Sequence, residues 1–445
     1  MTQSSLDLVA RDYLWEYSPK DALVQAAERA ENIIPWLIVE EKDAVLYFSH
    51  GAYGDFAVLP LTEKNLDVRS ELLTIKQIII DTGYPIPGDI DLDVELLRGF
   101  MDDLDRYSTV MYKDSLERFN ERIQGQLTGI GCRVQKVEEG IRIAEVFPES
   151  PAERGGIQED DIITHIDQSS IKGLALNDAV DRLRGPIHTE VTLRLWREEN
   201  SFDVSLHRDR VRIPNVRLHI KENVAQIIIE NFSSQTMRGV NRSLKTIRNT
   251  KGIKGIVLDL RGNTGGSMLQ SCKTVDAFLD EGLVLRTSGK NGKSVPRLRN
   301  SYHATKGNDL DLPLIVLINS RSASASEIVS GALSLHRRAF LIGQKSHGKG
   351  VVQMPHTVRT KPDKVKIKLT VAEYLLKEDY SVHTQKGVYP DLWLNSYRFN
   401  EDGFQARFRV PEGHEEIPTF LYADEQSGWR SGADIRDDYP LEFAR

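Results

Sequence analysis

Ser324, Lys349 and Gln353 fall within thirty residues of one another and are of types that together can break an amide bond. A serine hydroxyl becomes a nucleophile when a base takes its proton, and the neutral amine of a lysine can be that base. A lysine with a pKa near 10.4 is almost wholly charged at neutral pH, and neutralising it there costs about 4.6 kcal/mol. Burial can lower a lysine pKa by up to about 3–5 units, which meets that requirement. Gln353 lies four positions past Lys349. On a strand the two side chains would share a face, and the amide could hold the amine. Taken singly, each residue has a plainer reading. Ser324-Ala325-Ser326-Glu327 fits a capping box. Lys349, between Gly348 and Gly350, reads as a solvated loop lysine, and the loop lacks the spacing of a phosphate-binding P-loop.

The elements that must position these residues are strands alternating with helices. Leu312 to Ile318 is an apolar run that reads as a buried strand. Residues 319–327 are a turn of small polar residues, followed by a helical pattern at Ile328, Val329, Ala332, Leu333 and Leu335 and a short strand from Ala339 to Ile342. A serine at a strand-to-helix turn meets unpaired backbone N–H groups and the positive end of the helix dipole. Such N–H groups can hold an oxyanion. Upstream, Ala225 to Glu230 and Gly255 to Leu260 read as strands, with helices expected from Thr236 to Arg248 and from about Met268 to Leu279. This alternation predicts an α/β domain. Between the second strand and its helix lies Arg261-Gly262-Asn263-Thr264-Gly265-Gly266, which matches neither a dinucleotide fingerprint nor a P-loop. By itself it is a strand-to-helix turn, with Asp259 and Arg261 as structural partners.

Residues 319–353 resemble the active-site block of the carboxyl-terminal processing peptidases, also called tail-specific proteases. The resemblance implies Ser324 as nucleophile, Lys349 as base and Gln353 as the residue that orients it. The Asp-Leu-Arg-Gly-Asn-x-Gly-Gly run resembles a second signature of that family, which implies an oxyanion hole at Gly266 and Ala325. One departure stands out: the family commonly has phenylalanine before Gly-Lys-Gly, and here it is His347. The implied fold is a ClpP/crotonase-like catalytic domain of layered sheet and helices with an inserted PDZ domain and a mostly helical N-terminal region. The implied activity is that of a serine endopeptidase with a Ser-Lys dyad that needs no cofactor. A catalytically silent PDZ-containing adaptor on the same fold is the alternative.

The PDZ resemblance covers residues 124–211. Thr128-Gly129-Ile130-Gly131 resembles the loop whose N–H groups bind a peptide carboxylate, a small anion nest beside an open strand edge. That implies Gly129, Ile130 and Gly131 as peptide-binding residues and proteins with exposed, apolar C-termini as partners. Ile141 to Phe147 alternates as a strand, Pro151 opens a short helix, and Leu176, Ala179, Val180 and Leu183 mark a second one. Asp160 stands where the domain usually has glycine. Residues 92–123 are read as a helical lead into the core, with Asp105-Arg106-Tyr107-Ser108-Thr109 similar to the family's Asp-Pro-His-Ser-Thr. Residues 212–397 form the expected peptidase domain, and 398–445 a polar, irregular tail. Residues 1–91 match no family pattern. Helical character at Asp21 to Ala30, a strand at Ala44 to Phe48 and an apolar helix face at Leu72, Ile75, Ile78 and Ile79 fit a structural cap; the family resemblance implies instead a homodimer formed through N-terminal helices, for which an exposed apolar face would need a partner.

Bulk properties narrow the classes further. The 445 residues suit two to four domains. A net charge of −7 offers no basic face for nucleic acid. Two cysteines, Cys132 and Cys272, read as buried thiols. The histidines show no zinc-binding spacing, so no metal is expected. The N-terminus lacks a basic segment followed by an apolar run. The default expectation is therefore a cytoplasmic protein, or a periplasmic or secreted one if a leader lies outside this sequence.

Overall fold

The computed structural model describes residues 3–61, 66–307, 310–360, 363–400 and 403–409. Compactness divides the chain into two units, each discontinuous in sequence. The first joins Met1–Phe119, Glu281–Thr305 and Gly348–Val388; the second joins Asn120–Asp280, Lys306–His347 and Tyr389–Arg445.

The first unit begins with helices Gln3–Asp12 and Pro19–Ile33. Ser18 caps the latter by accepting the Asp21 N–H at 3.2 Å, with Pro19 as its first residue. Val68–Asp81 and Leu92–Leu104 follow, capped by Asp67 and Asp91. Leu23, Ala26, Ala27 and Ala30 belong to one apolar core with Leu96, Leu97, Phe100 and Met101. The N-terminal region also holds an antiparallel sheet of Leu37–Lys42, Val45–His50 and Gly54–Pro60, of which only the middle strand was expected. The neighbours of that strand are interrupted by charge (Glu40, Glu41, Asp55), which hides their alternation. A second sheet is centred on Val365–Leu375. That strand pairs with Leu283–Gly289, with Val351–Arg359 and with Thr109–Tyr112.

The second unit contains a PDZ-like sheet and a larger parallel one. The PDZ-like sheet runs in the order Asn200–His207, Glu190–Arg197, Ile162–Ile166, Ile141–Val146, Cys132–Lys136. Cys132–Lys136 is its terminal strand, and among the described residues no strand pairs with its outer edge, to which a strand can add. Arg208 is buried and ties the end of helix Leu176–Leu183 to this sheet. Its guanidinium donates to the carbonyls of Arg182, Leu183 and Glu190 at 2.9–3.1 Å. Asp160 adopts φ 69°, the left-handed conformation that a glycine takes without strain. Among the described residues there is no disulfide, and Cys272 is buried and Cys132 half-buried. Burial pushes the Cys132 thiol up to about 12, so it stays protonated at neutral pH.

The parallel sheet places Val224–Ile229, Gly255–Asp259, Leu314–Ile318, Phe340–Gly343 and Leu392–Asn400 side by side, flanked by Val216–Lys221 and Gly403–Arg409. Such strands are buried on both faces, which is why Ile256-Val257-Leu258 and Leu314 to Ile318 read as continuous apolar runs. Helices Thr236–Asn249, Met268–Asp276 and Ala325–Leu335 complete the crossovers. The expected irregular tail from 398 instead begins as a strand pair, Leu392–Asn400 with Gly403–Arg409. Its remainder, from 410 on, lies outside the described residues. Among the described residues no helix is long and apolar enough to cross a membrane.

Candidate active site

Ligands of open parallel sheets bind at the carboxyl ends of the strands. Here three neighbouring strands end at Ile229, Asp259 and Ile318, and the loops that follow are sewn together by buried side chains. The Asn263 amide nitrogen donates to the Ile229 carbonyl at 2.8 Å, and its oxygen accepts the Gly265 N–H at 2.8 Å. The Asn263 carbonyl accepts the Ala323 N–H at 3.0 Å and the Ser326 hydroxyl at 2.8 Å. Ser322 donates its hydroxyl to the Leu260 carbonyl at 2.8 Å, and the Asn319 oxygen accepts the Gly262 N–H at 3.0 Å. Asn263, Ser322 and Ser326 are all fully buried. Their bonds to the neighbouring loops span 34 to 63 positions of chain and carry no local sequence signal.

Ser324 sits at the start of helix Ala325–Leu335 with φ 55° and ψ −111°. A non-glycine residue held there costs about 1–3 kcal/mol, and strain of this kind clusters at functional sites. Nucleophile elbows expose a serine on a similarly sharp strand-to-helix turn. Ser324 and Glu327 form the expected capping box. The fully buried Glu327 carboxylate accepts the Ser324 N–H at 2.6 Å and the Ser346 hydroxyl at 2.5 Å. The Glu327 N–H also meets the Ser324 carbonyl at 2.8 Å. Glu327 therefore does more than cap a helix, because it ties the serine turn to the loop that leads to His347. Sequence reasoning gave it only the capping role.

Gly265 lies against this turn and Gly266 against Phe232. A Cβ on Gly265 would come within 2.9 Å of the Ser324 Cβ and 3.0 Å of the Ala325 nitrogen. A Cβ on Gly266, where φ is 145°, would come within 2.2 Å of the Phe232 carbonyl oxygen. The main chain here is held by Phe232, whose N–H donates to Gly265 at 3.1 Å and whose carbonyl accepts from Ser267 at 2.7 Å. The N–H groups of Gly266 and Ala325 donate to no acceptor among the described residues. Two unspent donors beside a strained serine are what an oxyanion requires. Arg261 grips Asp259 with two nitrogens, at 2.9 and 2.6 Å, consistent with a structural pair.

Lys349 and Gln353 belong to the first compact unit, whereas Ser324, Gly266 and Ala325 belong to the second. The Lys349 carbonyl accepts the Tyr374 hydroxyl at 2.9 Å, and the Tyr374 N–H donates to Gly350 at 3.1 Å. The Lys349 amine lies 4.9 Å from the centre of the Tyr107 ring. Lys349 precedes strand Val351–Arg359 rather than lying on it, and the register shifts between Val352 and Gln353. Simple strand alternation therefore does not relate the two side chains. The Gln353 amide nitrogen is 3.5 Å from the Val351 carbonyl. His347 is exposed, and its N–H donates to the Ser322 carbonyl at 3.0 Å.

In the PDZ-like part, Ile130 buries its side chain in the core. The carbonyls of Ile130 and Gly131 are taken by the N–H groups of Ala152 and Phe147, at 2.8 and 3.0 Å. The N–H groups of Ile130 and Gly131 donate to no acceptor among the described residues. Gly129 ends strand Gln126–Gly129, opposite Asp209.

Comparison with known proteins agrees with this architecture. The pattern of peptidase family S41 matches residues 223–394, and that of the PDZ domain matches residues 118–196. A carboxy-terminal-processing protease of Bartonella bacilliformis is 31% identical over 424 residues, covering 90% of this chain and 94% of that one. A probable CtpA-like serine protease of Staphylococcus aureus is 34% identical over 346 residues, covering 77% of this chain and 68% of that one. Among solved structures, a photosystem II D1 C-terminal processing protease aligns with TM-score 0.43 and 21% identity, over 85% of this chain and 94% of that one. The chain belongs to the carboxy-terminal-processing proteases of peptidase family S41, serine peptidases that carry a PDZ domain.

Proposed function

We propose that this chain is an endopeptidase that captures exposed, apolar protein C-termini on its PDZ domain and cleaves with Ser324 as nucleophile and Lys349 as base. The observation that carries the reading is the strained Ser324 turn with the unspent N–H groups of Gly266 and Ala325 beside it. In this mechanism the neutral Lys349 amine takes the Ser324 hydroxyl proton as the oxygen attacks the scissile carbonyl carbon. The resulting oxyanion accepts hydrogen bonds from Gly266 and Ala325. The C–N bond then breaks, and the Lys349 ammonium returns the proton to the departing amine. A water molecule, deprotonated in turn by Lys349, attacks the ester. The acid is released and Ser324 regains its proton. Gln353 is assigned the orientation of Lys349, and no cofactor enters any step.

Capture of a C-terminus is assigned to Gly129, Ile130 and Gly131. Support comes from the free N–H groups of Ile130 and Gly131 and from the open edge of Cys132–Lys136, to which a peptide can add as a strand. The test is digestion of an unfolded protein with an apolar C-terminus from about pH 6 to 9.5, a range that spans a lysine pKa lowered by burial. Cleavage should rise toward alkaline pH, because only the neutral amine is a base. Amidating the substrate's C-terminus removes the carboxylate and should weaken binding about tenfold or more, the loss of a charge-assisted contact. Equal binding of free and amidated peptides would remove the C-terminal reading and leave the peptidase.

Self-association through the N-terminal region is a further part of the proposal. Ile38, Tyr53, Phe56, Val58, Leu73, Ile80 and Tyr84 are exposed there, most of the large exposed apolar side chains described. Sedimentation velocity at micromolar concentration should show a dimer, and a monomer at that concentration would exclude it.

A further inference from the structure

We propose that Tyr107 is a positioning residue for the Lys349 amine, acting through the face of its ring. The proposal rests on the reading of Lys349 as the base. A lysine has a long flexible stem, and a general base must be held within hydrogen-bond reach of its proton. The Lys349 amine lies 4.9 Å from the Tyr107 ring centre, inside the range over which an aromatic quadrupole attracts the ammonium formed when the amine takes the Ser324 proton. The phenolic oxygen of Tyr107 is buried and has no hydrogen-bond partner among the described residues. A buried, unsatisfied hydroxyl is a cost, so the ring and not the hydroxyl accounts for the aromatic residue at this position.

Both partners of the contact are anchored to the same strand, Val365–Leu375. On the tyrosine side, Asp105 accepts the N–H groups of Tyr107 and Ser108, at 2.6 and 2.9 Å, and the Ser108 hydroxyl at 2.5 Å. Thr370 of the strand donates its N–H to the Ser108 oxygen at 3.0 Å and its hydroxyl to Asp105 at 3.2 Å. On the lysine side, Tyr374 of the same strand holds the Lys349 carbonyl through its hydroxyl, and its own N–H bonds the Gly350 carbonyl. The flanking Gly350 packs so closely that a Cβ there would come within 2.2 Å of the His383 nitrogen. The ring and the lysine backbone thus have fixed positions relative to each other, and the ring gives the mobile end of the side chain a surface to rest on. The Arg106 guanidinium lies 4.8 Å from the same ring centre, so the ring is shared by two basic side chains.

The experiment compares Tyr107→Leu, Tyr107→Phe and Lys349→Ala in the full chain. Tyr107→Leu should lower kcat by about 10- to 100-fold, the effect of a misplaced catalytic group, with KM and PDZ peptide binding unchanged. Tyr107→Phe keeps the ring and should keep most of kcat. An independent readout is the ring-current displacement of the Lys349 ε-methylene resonances, present in wild type and Tyr107→Phe and absent in Tyr107→Leu. Wild-type kcat in Tyr107→Leu, or an unchanged ε-methylene signal, overturns the proposal while a dead Lys349→Ala leaves the base reading standing. An active Lys349→Ala overturns the base reading, and the role of Tyr107 falls with it. If Tyr107→Leu does not fold, Tyr107→Phe decides: loss of activity with the ring retained overturns the proposal, and retained activity together with the displaced signal supports it.

Discussion

Ser324→Ala and Lys349→Ala are each expected to lower kcat by at least about 1000-fold, with the double variant no worse than either single one, because in the proposed mechanism nucleophile and base act as a unit. The serine variant lacks the oxygen to which the proposal assigns the acyl-enzyme. The lysine variant keeps that atom but leaves its proton with nowhere to go, since no other group is assigned to take it. Neither substitution touches Ile130 or Gly131, whose N–H groups lie in the PDZ domain, so both variants should bind a C-terminal peptide as wild type does. The fold is expected to survive as well. The side chains that sew the serine loop in place are those of Ser322, Ser326 and Glu327, and they remain. Full cleavage by Ser324→Ala would move the nucleophile elsewhere. Full cleavage by Lys349→Ala alone would keep the serine and require another base.

Gly266→Ala is expected to lower kcat by about 100- to 1000-fold, the loss seen when one oxyanion donor is removed. The reason is steric and local. The new Cβ would come within 2.2 Å of the Phe232 carbonyl oxygen and 2.8 Å of its carbon. Those are backbone atoms and cannot rotate aside. The peptide must therefore shift, and the N–H shifts with it. At φ 145° an alanine is strained even without that contact. The effect should fall on kcat with little change in KM, since the oxyanion exists only in the transition state and the intermediate it resembles. Unchanged kcat in a folded Gly266→Ala variant would take Gly266 out of the oxyanion hole. Serine and lysine could keep their roles, with a different donor completing the site.

Much of this was legible in the chain. Leu314 to Ile318 and Gly255 to Asp259 are short apolar runs closed by polar turns, and they became adjacent parallel strands. The PDZ order of glycine loop, strand, Pro151 helix and second helix became a single sheet with its helices. Asp160 shows why glycine is usual at its position, since the backbone there is left-handed. Less legible was the N-terminal sheet, where charged residues break the alternation that marks a strand. The link between Lys349 and Gln353 was inferred from a two-residue period, and the register shift at Val352 and Gln353 removes the premise of that inference.

The sequence by itself determined the residue types able to do the chemistry and the local turns that present them. Both depend on neighbours a few positions apart, where sterics and hydrogen bonding act through short stretches of chain. Only the tertiary structure decided which distant groups hold those turns in place. Asn263 joins three loops, Glu327 binds both Ser324 and Ser346, and Tyr107 meets the Lys349 amine. It also decided that residues 281–305 and 348–388 join the N-terminal segment in one compact unit. Those outcomes arise from burial and from the pairing of polar groups across long loops, and no periodicity within the chain encodes such partners.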